Sequence, residues 1–187
     1  MSHERHHHGP DHDRVQRLEE GHDHPGLGLR LHGHSSGLIR RPRLYEYGAA
    51  MGFLGRRRRV YDDLAARSGA RPGDQVLDVG CGTGYFTRRV ARAVTPGGRA
   101  VGIDPSPPMI DYATRRAPGD TTFQLATAQT LPYPDAFFDV VISCLAIHHL
   151  PADDRPTALR EAYRVLRPGG RLLIADFRHP ATAWPTN

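Results

Sequence analysis

Between residues 75 and 176, short apolar runs alternate five times with segments of helical spacing, and no other feature limits the possible folds so sharply. The runs fall at 75–79, 99–103, 121–125, 139–144 and 171–175. Several are apolar almost throughout, as a strand must be when both faces of its sheet are covered. Between them, Phe86, Val90 and Val94 keep helical spacing. Pro107-Pro108 opens a second helix reaching about Arg116. Leu159, Ala162, Tyr163 and Leu166 form the stripe of a third, with Asp153 or Asp154 as N-cap and Pro156 in its first turn. Ahead of the first strand, Val60, Leu64 and Ala65 mark a helix that ends at Ser68-Gly69. Five strands alternating with four helices predict an α/β domain with a doubly wound parallel sheet.

In such sheets ligands bind beyond the carboxyl ends of the strands, where the strand order reverses. Polar residues and glycines collect at those ends: Asp78 with Gly80–Gly84, Asp104, Thr127-Ala128, and the stretch 143–149. Glycine suits backbone that turns sharply or approaches a ligand closely. The helix after Gly84 aims its amides at the same place. Asp104, ending the second strand, stands where a carboxylate accepts from two ribose hydroxyls. Asp78 reads either as a ligand-binding acid or as a cap on the turn. Together the glycine loop and the later strand-end acid indicate an adenosine-containing cofactor. The loop spacing is D-x-G-x-G-x-G, unlike the G-x-G-x-x-G of dinucleotide sites or the lysine-containing phosphate loop, and the chain has no lysine at all.

These residues carry a resemblance. VLDVGCGTGYFT at 76–87, VGIDPSPPMI at 101–110, LPYPDAFFDVVIS at 131–143, AIHHL at 146–150 and EAYRVLRPGGRLLIADF at 161–177 resemble class I S-adenosylmethionine-dependent methyltransferases, in particular the type 11 and ubiquinone-biosynthesis-like group. The resemblance implies a Rossmann-like fold, S-adenosylmethionine as cofactor, and methyl transfer to a small-molecule acceptor by direct displacement. It implies that Gly80, Cys81, Gly82 and Gly84 line the methionyl part and that Asp78 helps hold its amino group. Asp104, with Pro105 beside it, would bind the ribose. Thr127-Ala128 stand where the family usually has Asp-Ala at the adenine, so that contact falls to a hydroxyl or to backbone. Cys144 and Leu145 would lie near the methionyl group and the acceptor.

His148 and His149 are candidate general bases, because imidazole titrates near neutrality. Transfer from a sulfonium asks little acid–base help, however, and the pair is common in this loop of the family, so a backbone hydrogen-bonding role is the stronger reading. Tyr45, Tyr47 and Tyr61 are read as core rather than as a substrate lid. Cys81 and Cys144 follow adjacent strands and are expected as reduced thiols. The family's sheet usually gains a sixth and a seventh strand, which RHPATAWPTN after residue 177 is too short to build. The fifth strand is therefore expected at a sheet edge, open to a second copy of the chain. A shortened or non-catalytic cofactor-binding protein is the alternative function.

Composition divides the 187 residues further. Residues 1–43 hold nine of the twelve histidines and no sustained apolar period, and are expected to be a disordered tail. His6, His7 and His8 there are read as adventitious metal ligands, with a metal-binding role for the tail as the weaker alternative. Residues 44–71 form a helical lead-in, 72–178 the cofactor domain and 179–187 a short tail. All 25 basic residues are arginine, and the net charge of +5 resides largely in 44–71, with its run Arg56–Arg59. Four consecutive residues spread around a helix, so the run is read as a solvated helix start rather than a phosphate-binding patch, and no nucleic-acid partner is expected. Two cysteines, no secretory leader and no apolar span point to the cytoplasm.

Overall fold

The computed structural model describes residues 55–176 and, ahead of them, Pro42. The histidine-rich tail with His6–His8, the segment 44–54 with Tyr45 and Tyr47, and the residues from 177 onward lie outside the described residues. The elements follow in the order α1 (Arg57–Ser68), β1 (Gln75–Val79), α2 (Thr87–Val94), β2 (Arg99–Asp104), α3 (Pro107–Thr114), β3 (Thr121–Leu125), β4 (Phe138–Cys144), α4 (Arg155–Val165) and β5 (Leu166–Ala175). Two single 3₁₀ turns, Ile147–His149 and Ala152–Asp154, join β4 to α4.

The strands form one parallel sheet in the order β3-β2-β1-β4-β5. The chain winds outward from β1 through β2 to β3, then crosses back to place β4 on the other side of β1. The order therefore reverses between β1 and β4, and a crevice opens beyond their carboxyl ends. This is the doubly wound, Rossmann-like α/β architecture.

Alternation along β1 sends side chains into two cores. Val76 packs with Val140 and Ile142 against Tyr61 and Ala65 of α1, Val90 and Val94 of α2, and Phe86 just ahead of α2. Leu77 and Val79 pack on the opposite face with Ile103, Val141 and the α4 residues Ala162 and Val165. Because β1 and β4 are covered on both faces, Leu77, Val141 and Ile142 are fully buried. Each such side chain contributes about 1.5–3 kcal/mol. β3, at the edge, alternates instead, and its Leu125 is exposed.

Boundaries differ from expectation where tertiary contacts decide them. β5 begins at Leu166 rather than at 171, because Leu166 pairs with Phe138 as soon as α4 ends. Arg167-Pro168-Gly169-Gly170 is then accommodated as an irregularity before Arg171 pairs with Val140, with Gly169 at φ +79°. α3 stops at Thr114, two residues early. Asp154 stands at the N-terminal boundary of α4 without making a capping bond; its carboxylate accepts from Gln129 Nε2 at 3.0 Å.

α1 ends as read, with Gly69 in the left-handed region at φ +70°. Its buried face runs Arg57, Tyr61, Ala65 and Ser68, so Tyr61 belongs to the core. In the arginine run, Arg56, Arg58 and Arg59 are exposed and Arg57 turns inward. No helix among the described residues is long and apolar enough to cross a membrane.

Candidate active site

The loop after β1 forms because three of its glycines take conformations that L side chains disfavour: Gly80, Gly82 and Gly84 have φ of +75°, +54° and +71°. Gly80 is constrained twice over, since a Cβ there would overlap the Cβ of Ala146 in the loop after β4. The amides of Gly80 and Cys81 both donate to the Ile103 carbonyl, at 2.9 and 2.8 Å, which ties the loop to the end of β2.

Asp104, the last residue of β2, is gripped from two sides. One carboxylate oxygen accepts from the Gly82 amide and the other from the Ser106 amide, each at 2.9 Å. Partial burial raises its pKa, and these two bonds oppose the rise. Pro105, between Asp104 and Ser106, is exposed in the turn. Each carboxylate oxygen has a second lone pair, so the acid remains an acceptor for a vicinal diol.

Asp78 lies deeper, 2 % exposed, and accepts from Thr87 Oγ1 at 2.6 Å. Burial raises its pKa to about 7, with the Asp104 carboxylate adding a smaller push in the same direction and the Thr87 bond opposing. It lines a narrow polar pocket with Gly80, Cys81, Thr83 and Cys144, closed by Arg57, Tyr61, Tyr85 and Phe86. An anion-capable group held this far from water suits a cationic ligand group, whose arrival favours ionisation. Cys81 and Cys144 are free thiols. Burial pushes the Cys144 thiol up to about 12 and raises that of Cys81 as well, so both stay protonated and poorly nucleophilic.

The loop after β4 starts under backbone strain, with Leu145 at φ +55°. Its amide donates to the Ala175 carbonyl at 2.8 Å, joining the ends of β4 and β5. The turn Ile147–His149 follows. His148 Nδ1 lies 2.6 Å from Asp176 Oδ1, and the His148 amide donates to Asp176 Oδ2 at 3.0 Å. A carboxylate oxygen accepts, so the bond between the two is one that His148 donates from Nδ1. His149 is held below the usual imidazole range by burial and by the neighbouring His148 ring, 4.0 Å away centroid to centroid.

The structure thus brings Asp78, Gly80, Cys81 and Cys144 around one pocket, with Asp104 joined to the same loop through Gly82. Thr127 and Ala128 follow β3, outside that pocket's lining, and Thr127 bridges to Thr130. They connect to the site through the neighbouring amide of Ala126, which donates to the Asp104 carbonyl. Asp176, Thr87 and Arg57 are the site residues that sequence reasoning passed over. Asp176 was detectable as an acid closing a strand, the same signal that marks Asp104. Among the described residues no group of three His, Cys, Asp or Glu side chains stands close enough to hold a metal ion.

The methyltransferase domain family matches residues 77–174, just over half of the chain. The chain belongs to the class I S-adenosylmethionine-dependent methyltransferase family. This methyltransferase domain is 43% identical over 124 residues to 27-O-demethylrifamycin SV methyltransferase of Amycolatopsis mediterranei, a match covering 64% of the chain and 44% of that protein. It is 38% identical over 123 residues to the demethylmenaquinone methyltransferase of Symbiobacterium thermophilum, covering 63% and 48%. The chain thus spans less than half the length of these relatives. Among solved structures it resembles the [4+2]-cyclase SpnF, with a TM-score of 0.56 and 33% identity over 63% of the chain and 44% of that protein. A cyclase and two methyltransferases at comparable identity show that the shared core does not by itself set the reaction.

Proposed function

We propose that the chain binds S-adenosylmethionine and transfers its methyl group to a small-molecule acceptor by direct displacement. The observation that carries this is Asp104, a strand-end carboxylate fixed by the Gly82 and Ser106 amides beside the glycine loop. Its acceptor-only chemistry fits the ribose diol, and the buried, cation-seeking Asp78 fits the α-ammonium of the methionyl part. Gly80, Gly82 and Gly84 keep side chains out of the space between them. The bound cofactor supplies an electrophilic methyl on a sulfonium whose departure leaves a neutral thioether.

The protein's part is alignment and exclusion of water. His148, oriented by Asp176, offers Nε2 to take a proton from an acceptor hydroxyl or amine as the new bond to methyl forms. His149, neutral at pH 7, stands beside it as a second acceptor. The acceptors named for the relatives, a rifamycin and a menaquinone precursor, support a small organic acceptor of that general kind.

The experiment is calorimetric titration with S-adenosylmethionine, S-adenosylhomocysteine and NAD, followed by detection of S-adenosylhomocysteine formed over a panel of phenolic, hydroxyl and amine acceptors. Binding of both adenosyl ligands and turnover on the panel is the expected result, whereas binding of NAD alone refutes the reading. A second reading, cofactor binding without transfer, is favoured by the sheet edge. Leu172 and Ile174 of β5 are exposed, and β5 has a single strand neighbour among the described residues. Binding without turnover on any acceptor supports that reading.

The same edge suits a second copy of the chain. Antiparallel pairing about a two-fold axis at Leu173 sets Leu172 of each copy opposite Ile174 of the other. Sedimentation then shows a dimer that Leu172→Lys dissociates, and a monomer at all concentrations removes this pairing.

A further inference from the structure

The glycine loop is supported by a side chain from the sheet edge, since β3 lies beyond β2 as seen from β1. In register across these strands, Asp78 stands beside Gly102, and Gly102 beside Phe123. Alternation places the three on the face that α2 covers, the face of Val76. Gly102 is not among the residues with positive φ, so its backbone conformation suits any residue. Space is what excludes a side chain there. A Cβ at 102 would stand 2.7 Å from Phe123 Cδ1 and 2.9 Å from Cys81 Cβ, and a Cβ at Gly84 would overlap the tip of the same ring. The ring therefore lies across the bare Cα of Gly102 and ends against the loop at Gly84. It is half-buried there, on a strand whose Thr122, Gln124 and Leu125 are exposed.

Cys81 and Gly84 are the two ends of one turn, in which the Gly84 amide donates to the Cys81 carbonyl at 2.9 Å. Gly82, between them, gives its amide to Asp104 at 2.9 Å. Each end of the turn thus rests on the same packed unit, Cys81 against Gly102 and Gly84 against the Phe123 ring. Close-packed groups transmit a displacement rather than absorb it, and a hydrogen bond weakens steeply once its donor is misaligned. The ring consequently sets where the Gly82 amide meets the Asp104 carboxylate.

We propose that Phe123 is a positioning residue for cofactor binding: its ring, laid over Gly102, holds the Cys81–Gly84 turn where Gly82 engages Asp104. The proposal rests on reading the site as one for S-adenosylmethionine, and Phe123 acts through the loop. It divides the glycines by task. Gly80 is small because of Ala146, whereas Gly84 and Gly102 are small because of one ring from the edge strand.

The test is calorimetry with S-adenosylhomocysteine on the full chain, at a temperature where each variant is folded, with amide exchange of the ligand-free proteins followed by NMR. Phe123→Ala is expected to weaken S-adenosylhomocysteine by about tenfold, the share of one charge-assisted hydrogen bond. Exchange of the Gly82 amide should quicken by about tenfold as the turn loosens. Val165→Ala, on the opposite face of the sheet, should lower stability in urea and change affinity by less than about twofold. Affinity that is unchanged in Phe123→Ala, or that falls equally in Val165→Ala, makes the ring ordinary packing and overturns the proposal. A second pair of variants serves where Phe123→Ala does not fold. Gly102→Ala should weaken binding by about tenfold, and adding Phe123→Leu should restore part of it by giving the new methyl room. Losses that simply multiply in the double variant overturn the proposal. Absence of S-adenosylhomocysteine binding by the unaltered protein fails the proposed function, and this assignment with it. Binding by the unaltered protein, with Gly82 exchange unmoved in Phe123→Ala, removes the Phe123 assignment alone.

Discussion

Replacing Asp78 with asparagine should stabilise the ligand-free protein at neutral pH while abolishing its cofactor binding. The folded state raises this pKa from an ordinary 3.8 to about 7, chiefly by desolvation. A raised carboxylate pKa means that the folded protein keeps a proton that the unfolded chain releases. The group's contribution is therefore fully present below pH 3.8 and is lost as pH climbs through 7. The loss runs at about 1.4 kcal/mol per pH unit and totals about 4 kcal/mol.

Asparagine keeps the shape and an oxygen for the Thr87 hydroxyl, but carries no charge. Its stability advantage over the parent should therefore grow by about 2.5 kcal/mol between pH 5 and pH 8, then level off. Urea denaturation of both proteins at pH 5, 6, 7 and 8 measures that difference, and the contributions of titrating groups that do not interact with Asp78 cancel between the two. A gap that stays constant across the series, or shrinks as pH rises, would show that Asp78 ionises at no cost in the folded state. The same variant should give no heat with S-adenosylmethionine, since it removes the partner proposed for the ammonium.

Three further outcomes are expected. Gly80→Ala forces a side chain into a left-handed backbone and against Ala146, and should lower stability by about 2–4 kcal/mol in denaturant titration. Asp104→Ala removes the acceptor for the Gly82 and Ser106 amides as well as for the ribose, so S-adenosylhomocysteine affinity should fall by about a hundredfold in calorimetry. Unchanged affinity would end that assignment. Asp176→Asn leaves cofactor affinity in place but no longer fixes the His148 tautomer. Turnover on a hydroxyl acceptor should drop by about tenfold to a hundredfold and recover as the acceptor becomes more acidic.

Elements whose environment is uniform were legible in the sequence. β1 and β4 are flanked on both sides and covered on both faces, so apolar residues dominate them and the runs declare themselves. Asp104 was legible because an acid ending an apolar run has few structural reasons to be there. β5 was misplaced at its start because Leu166 pairs with Phe138, a contact 28 positions away that no local pattern reports. Arg57 escaped for a related reason. Its inward turn depends on the Tyr85 ring reaching it from just before α2, whereas charge alone argued for solvent. Asp153 or Asp154 was read as a helix cap from local chemistry, but Asp154 at the helix boundary accepts from the Gln129 amide instead. Local chemistry proposes a partner, and the fold selects among those within reach.

The close approach of Gly80 to Ala146 has an evolutionary reading. These two positions lie on different loops, one carrying the glycines proposed to line the cofactor and the other leading to His148 and His149. Gly80 has no room to grow, and a side chain at 146 that extends toward it presses on the glycine loop. Among related sequences the two positions should vary together or stay small together. A library meant to alter acceptor choice can draw its diversity from His149 and Leu150 while leaving 146 as alanine, because a change there would be paid for in cofactor affinity before any new acceptor was gained.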